Sequence, residues 1–302
     1  MAIARDFFMA LSKSQLLNAS AKKWGLKLGA SKVVAGTDVN GMIDSVKKLN
    51  ALGISATVDH LGEFVFRKSE ALEAKEHIFT TLHAIYQEKV DAHLSIKLTQ
   101  IGLDIGYEFC LENMHEIMNL ANKYNIFVNV DMEDYAHSKM TFEIIEELRH
   151  SFQNIGTVIQ AYLYRSEEDL DRYKDMRLRL VKGAYKENKS VSLQEKEEID
   201  ANYIKLIKKR LLHPGFTSIA THDHTIINEV KKYVKENNIP LNKFEFQMLY
   251  GFRTEMQQEL VKEGYSFCTY VPFGNDWYGY FMRRLAERPQ NLNLVWKSLI
   301  AK

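Results

Sequence analysis

Cysteine is almost absent from this 302-residue chain: only Cys110 and Cys268 occur, and they are far apart. That pair fits a reduced, cytosolic protein and argues against a disulfide framework or a thiolate metal centre. An excess of either charge is also missing, with 40 Lys and Arg against 39 Asp and Glu, so no nucleic-acid footprint is expected. No apolar run approaches the roughly 18 residues that a membrane-spanning helix needs. The opening MAIARDFFMALSKSQLL has a short apolar centre without a small-residue cleavage pattern, so it does not read as a signal peptide. Neither GxGxxG nor a Walker loop appears, which counts against a Rossmann-type nucleotide unit.

What the chain does contain is an alternation of textures. Residues 1–52 read as a helical arm: an amphipathic helix carrying Ile3, Phe7, Phe8 and Leu11 on one side, a second over Gln15–Lys27, and a third over Asp38–Leu52 ending at Gly53. From residue 53 to 302, short strand-like runs are separated by helix-length amphipathic segments, the pattern of a parallel sheet. The runs cover 54–60, 93–98, 126–131, 157–162, 177–183, 217–223, 243–249 and 266–271, each followed by a helical segment. Eight such units in about 240 residues match a (β/α)8 TIM-type barrel better than an open doubly wound sheet.

Period-two alternation sorts the side chains of these runs. Residues under the helices must be apolar, so the opposite set points into the barrel: Ser55, Thr57 and Asp59; His93, Ser95 and Lys97; Asn129 and Asp131; Gln160; Arg177 and Arg179; His222; Glu245 and Gln247; Tyr270. The interior is therefore expected to be polar, with its most reactive groups at the C-terminal ends of the strands, where barrel active sites lie. Lys97, Arg179, Lys182, Arg283 and Arg284 outnumber Asp59, Glu63, Asp131 and Glu287 there, which predicts a large anionic ligand. Simple internal pairing, such as Lys97 with Asp131, is the plainer alternative for any one residue.

The stretch Ser266–Asn291 concentrates these signals. A strand-like run turns through Pro272 and Gly274, and Asn275 or Asp276 is placed to cap a helix that carries Tyr280, Arg283, Arg284, Glu287 and Arg288 on one face. Arg before Glu at i,i+4 is the weaker order for an ion pair, and Arg284 above Arg288 is repulsive, so an anion site competes with a solvated face.

Three chemistries suit such a barrel. The His222–Asp223–His224 cluster suggests metal hydrolysis, but barrel hydrolases carry their two-histidine motif at the first strand and this cluster follows the sixth. A Schiff-base lyase would use Lys97 or Lys182, which would have to lose its proton. A third alternative is a barrel that binds a flavin or another anion without turning it over.

The residues RLVKGAY (179–185), VDMED (130–134), VDHLGE (58–63), SIKL (95–98) and above all YFMRRLAER (280–288) resemble the proline dehydrogenase family, in its monofunctional bacterial form. The resemblance runs from about Ile54 to Asn291 and implies a distorted barrel holding FAD at the strand C-termini. It implies that Arg283 and Arg284 bind the carboxylate of L-proline with Lys97 adding charge, since paired guanidinium forks fix a carboxylate in place and orientation. By the same resemblance Tyr270, Tyr280 and Leu180 pack on the pyrrolidine ring, Tyr185 closes the site, and Asp131 lies in the substrate pocket. Glu287 resembles a carboxylate near the substrate arginines, and Glu63 one that gates the site with Arg283. Toward FAD, the resemblance places Arg179 near N5, Met132 beside the isoalloxazine, Val181, Lys182, Gly183 and Ala184 along the cofactor, and Gln160, Thr221, His222 and Gln247 as further contacts. It implies hydride transfer from proline to flavin, electrons passed to a membrane quinone with peripheral bilayer contact, and product that a separate pyrroline-5-carboxylate dehydrogenase could consume.

Overall fold

The computed structural model describes residues 30–62 and 64–287, with the side chains of 30 and 283–287 outside that description. The helices expected over the first 27 residues lie outside it. The third one is present as α1 (Val39–Asn50), and Asp38 caps it by accepting a hydrogen bond from the Gly41 N–H at 2.9 Å.

The strands are β1 (Ser55–His60), β2 (Ala92–Ile96), β3 (Val128–Val130), β4 (Ile155–Gln160), β5 (Arg177–Val181), β6 (Thr217–Ala220), β7 (Phe244–Leu249) and β8 (Phe267–Phe273). They pair in chain order, all parallel, and β1 pairs with β8 from Ser55 to His60, so the sheet closes into a barrel. Closure removes both sheet edges. A helix follows every strand: α2 (Lys68–Glu88), α3 (Tyr107–Lys123), α4 (Tyr135–Arg149), α5 (Ser166–Arg172), α6 (Lys196–Leu211), α7 (His224–Glu236), α8 (Thr254–Lys262) and α9 (Trp277–Glu287).

The alternation separates the two faces of the sheet. Ala56, Val58, Leu94, Ile96, Val128, Val130, Leu178, Leu180, Phe244 and Phe246 are each 2 % exposed or less, in the layer between strands and helices. At roughly 1.5–3 kcal/mol for each large side chain buried, this layer supplies most of the driving force for closure. Below the barrel, Arg210 of α6 is fully buried and donates to the carbonyls of Tyr173, Lys174, Met176 and Phe216 and to the Thr217 hydroxyl. It holds the turns that enter β5 and β6, and so the register of the strands that carry the site.

Candidate active site

The inward set forms one hydrogen-bonded column inside the barrel. At its floor Arg177 donates to Glu245 at 2.7 Å, between the rings of Phe127 and Phe216, and Ser218 and Gln247 donate to the same carboxylate oxygen. Gln247 then accepts from Arg179 Nε at 2.8 Å. The rest of the Arg179 fork reaches Ser95 at 3.0 Å, Thr57 at 3.1 Å and the Asp131 carboxylate at 2.6 Å. A planar group with five donors suits this place, because strands β1, β2, β5 and β7 and the end of β3 converge on it from different directions.

Above Arg179 sits a group of four. Lys97 donates to Asp59 at 2.8 Å and stands 3.6 Å from Asp131. The Tyr270 hydroxyl is 2.7 Å from Asp59 and 2.9 Å from Asp131, and its ring lies under the Arg179 guanidinium at 5.2 Å. The two carboxyls are held differently. Burial pushes the Asp59 carboxyl above its ordinary range, with the Asp131 charge adding to the effect against Lys97. Asp131 is also penalised by burial, but Arg179 and then Lys97 outweigh it and hold its carboxyl below the usual value. Tyr270 is pushed well above its ordinary value by burial and the two carboxylates, so its phenol stays protonated and donates. Two acids, one raised and one lowered, share a tyrosine proton at the C-terminal ends of the strands. Paired acids pulled apart in this way are common where protons are held or moved, and in buried ion-pair networks as well.

The expected Lys97–Asp131 contact is thus real, but Asp59 is the nearer partner. The cationic surplus expected at the mouth is not found among the described residues: Lys97 and Arg179 face Asp59 and Asp131, while Lys182 pairs with Asp200 and Asp223. Lys182 therefore points to α6 and the start of α7, because Asp223 is fixed there as the cap of α7.

Met132 and Gln160 are buried next to this group, and Gln160 donates to the carbonyls of Met132 and Glu133. Thr221 accepts from the Asp223 N–H, and the His222 ring lies against Phe252 with its Nε2 at 3.4 Å from the Leu249 N–H. Val181, Lys182 and Gly183 are half-buried where β5 ends, Ala184 is exposed, and Tyr185 is half-buried in the same loop. Tyr280 is buried on α9 beside Trp277, Leu61, Val33 and Val34.

Leu180 is not brought to this group. Its register is level with Ile159 and Ile219, and it is 1 % exposed in the layer facing the helices, one residue out of phase with Arg179. A place on a ring in the barrel mouth is therefore corrected by the strand's own period. Glu63 lies outside the described residues, as do the side chains of Arg283, Arg284 and Glu287, whose backbone belongs to α9.

Gly183 has two reasons to be glycine. Its φ is +116°, and a Cβ there would meet the Tyr162 ring at 2.3 Å. Gly183→Ala is expected to cost about 1–3 kcal/mol, read as a lower urea midpoint at unchanged slope, because both the backbone and the buried ring must shift. The close approach is thus to Tyr162, and a ligand is not needed to explain it.

Three residues at the site carry no assigned role from the sequence. Thr57 and Ser95 hold Arg179, and Glu133, 1 % exposed, accepts from the Thr99 N–H and hydroxyl, which ties the loop after β2 to the loop after β3. Alternation marks the first two as inward, but Glu133 sits beyond the strand, where no period applies. A cavity of about 610 Å³ lies to one side, between the loop after β1, α2 and the turn into α9. Its lining includes His60, Phe64, His77 and Asp276, and none of Lys97, Asp131, Arg179 or Tyr270.

A closed parallel barrel with charge-paired polar groups converging at its strand C-termini is the arrangement in which (β/α)8 enzymes place their active sites. The sequence model of the proline dehydrogenase family matches residues 42–296, and the chain belongs to that family. It is 47 % identical over 302 residues to "Proline dehydrogenase 2" of Bacillus subtilis (strain 168), covering 99 % of this chain and 100 % of that one. It is 37 % identical over 289 residues to "Proline dehydrogenase" of Deinococcus radiodurans, covering 93 % and 92 %. Among solved structures, proline utilization A (PutA) from Bdellovibrio bacteriovorus inactivated by N-propargylglycine superposes with a TM-score of 0.81 at 25 % identity, over 86 % of this chain and 32 % of that one. The chain is thus an oxidoreductase of the proline dehydrogenase type.

Proposed function

We propose that this chain oxidises L-proline to Δ1-pyrroline-5-carboxylate with FAD as the cofactor. The observation that carries the reading is the Lys97, Asp59, Asp131, Tyr270 and Arg179 group at the strand C-termini, in a chain of this family. FAD fits the residues present: Gln160 Oε1 is buried with no hydrogen-bond partner among the described residues, an acceptor suited to a donor on a bound cofactor. When bound, FAD supplies the hydride acceptor. Arg179, Met132, Gln160, Gln247, Thr221 and His222, with the backbone from Val181 to Ala184, are the residues that would hold it. Arg179 presents a fixed cation that needs no reorganisation during reaction, because four of its donor contacts are already made inside the barrel.

For the substrate, Arg283 and Arg284 orient the carboxylate, with Lys97 adding charge and Glu287 alongside. Tyr270 and Tyr280 border the ring, Tyr185 closes over it, and Glu63 gates the entrance with Arg283. Electrons leave to a quinone through peripheral contact with a membrane, and the product suits a separate pyrroline-5-carboxylate dehydrogenase. No helix among the described residues is long and apolar enough to cross a membrane.

Incubation with L-proline, FAD and a soluble quinone tests the reading. A cyclic imine lighter than proline by two hydrogens is the expected product, and unchanged proline would overturn it. Tyr270→Ser is expected to reduce the preference for proline over 4-hydroxyproline by about tenfold in kcat/KM, since a smaller side chain leaves room for the added hydroxyl. Equal preference in parent and variant would remove Tyr270 from the ring site.

A further inference from the structure

Among the described residues of the interior group, Asp59 has an idle atom. Its Oδ2 accepts from both Lys97 and Tyr270, while its Oδ1 is buried and makes no hydrogen bond. The side chain is 2 % exposed, so water at the surface does not serve that oxygen. A buried carboxylate oxygen without a donor is costly, and a donor supplied by a ligand would relieve it. The neighbours that set its charge are Lys97 after β2, Asp131 after β3 and Tyr270 on β8, and Arg179 on β5 acts through Asp131. Two cations face two carboxyls in this group.

We propose that Asp59 is the proton acceptor for the substrate amine. This rests on the proline-oxidising reading and adds the step that it leaves open. Proline arrives as the zwitterion with two hydrogens on its cationic nitrogen. One of these protons passes to Asp59 Oδ1, and the freed lone pair forms the C5=N bond as C5 gives up its hydride to the cofactor. The product leaves as the protonated imine, and Asp59 gives up its proton once the emptied site admits water. The ordering of the two acids follows: Asp131, held low by Arg179, stays charged, whereas Asp59 is the one able to take a proton.

The test is Asp59→Asn, which keeps the shape and removes the basic oxygen. Under anaerobic conditions its rate of flavin reduction by proline should fall about 100-fold at pH 7. The deficit should shrink roughly tenfold per pH unit toward pH 9, as solvent takes over the deprotonation. L-Tetrahydro-2-furoate keeps the ring and carboxylate but has an oxygen where proline has its amine, so its calorimetric Kd should change by less than about threefold. A pH-independent deficit, or equal loss of tetrahydrofuroate binding, would make Asp59 a positioning residue for Lys97 and overturn the proposal. If the variant does not fold, the parent still decides: its reduction rate should level off near neutral pH, and a rate that keeps climbing toward the amine's own pKa would overturn it. Bleaching of the parent by proline together with an unaffected Asp59→Asn leaves the proline reading standing and removes only this inference.

Discussion

Arg179→Met should destabilise the cofactor-free protein by about 3–5 kcal/mol, because it removes one partner from a buried ion pair and strips donors from three further groups at once. The groups left behind are Asp131, Gln247, Ser95 and Thr57, all buried or nearly so inside the barrel. The urea midpoint should fall without a change in slope. Asp131 would lose the neighbour that does most to hold its carboxyl low, so the loss should be smaller in acid, where that carboxyl can take a proton. The sign is that of a depressed acid: the stability that Asp131 gains from Arg179 is present above its unfolded pKa and is lost as pH falls through the folded one. A variant as stable as the parent at pH 7 would show that the column of hydrogen bonds from Arg177 to Tyr270 contributes nothing to the barrel.

Arg284→Met, or Arg283→Met, is expected to raise the KM for proline by about 100-fold, equivalent to roughly 2.7 kcal/mol, with flavin retained. Losing a guanidinium that pairs with the substrate carboxylate would remove a charge-assisted contact, and such contacts are the strong ones. Because Lys97 is already matched by Asp59 and Asp131 in the described site, it cannot stand in for a missing arginine. An unchanged KM would remove the carboxylate assignment from α9. A loss of flavin together with the rise in KM would make these residues part of the cofactor site instead.

The barrel was legible because its two signals are local. Eight short runs at regular spacing and a strict two-residue period are properties of neighbouring residues, and they located every strand and put Thr57, Asp59, Ser95, Arg179, Glu245 and Gln247 inside. The same period contradicts the ring contact implied for Leu180, and the structure follows the period. Pairing was not legible to the same degree. Lys97 meets Asp59 and Tyr270 across separations of 38 and 173 residues, and no local pattern tells a lysine which of two inward carboxylates is nearer. Lys182 meets Asp200 on α6 and Asp223 at the cap of α7, contacts set by the helices that follow β5 and β6 and not by the strand period. Asp59 was visible as an inward residue, but its idle oxygen depends on which partners take the other one, and that is a property of the assembled group.

L-Proline is expected to be the reductant for a flavin held at this site. The visible spectrum of the purified protein, recorded without oxygen before and after adding L-proline, tests it most directly. Flavin bands that bleach on adding proline are the predicted result, since they join cofactor, substrate and direction of electron flow in one observation. Bands that persist would leave a flavoprotein with another substrate. No bands in a cofactor-replete preparation would contradict the flavin reading and return Lys97 and Lys182 to consideration as Schiff-base residues.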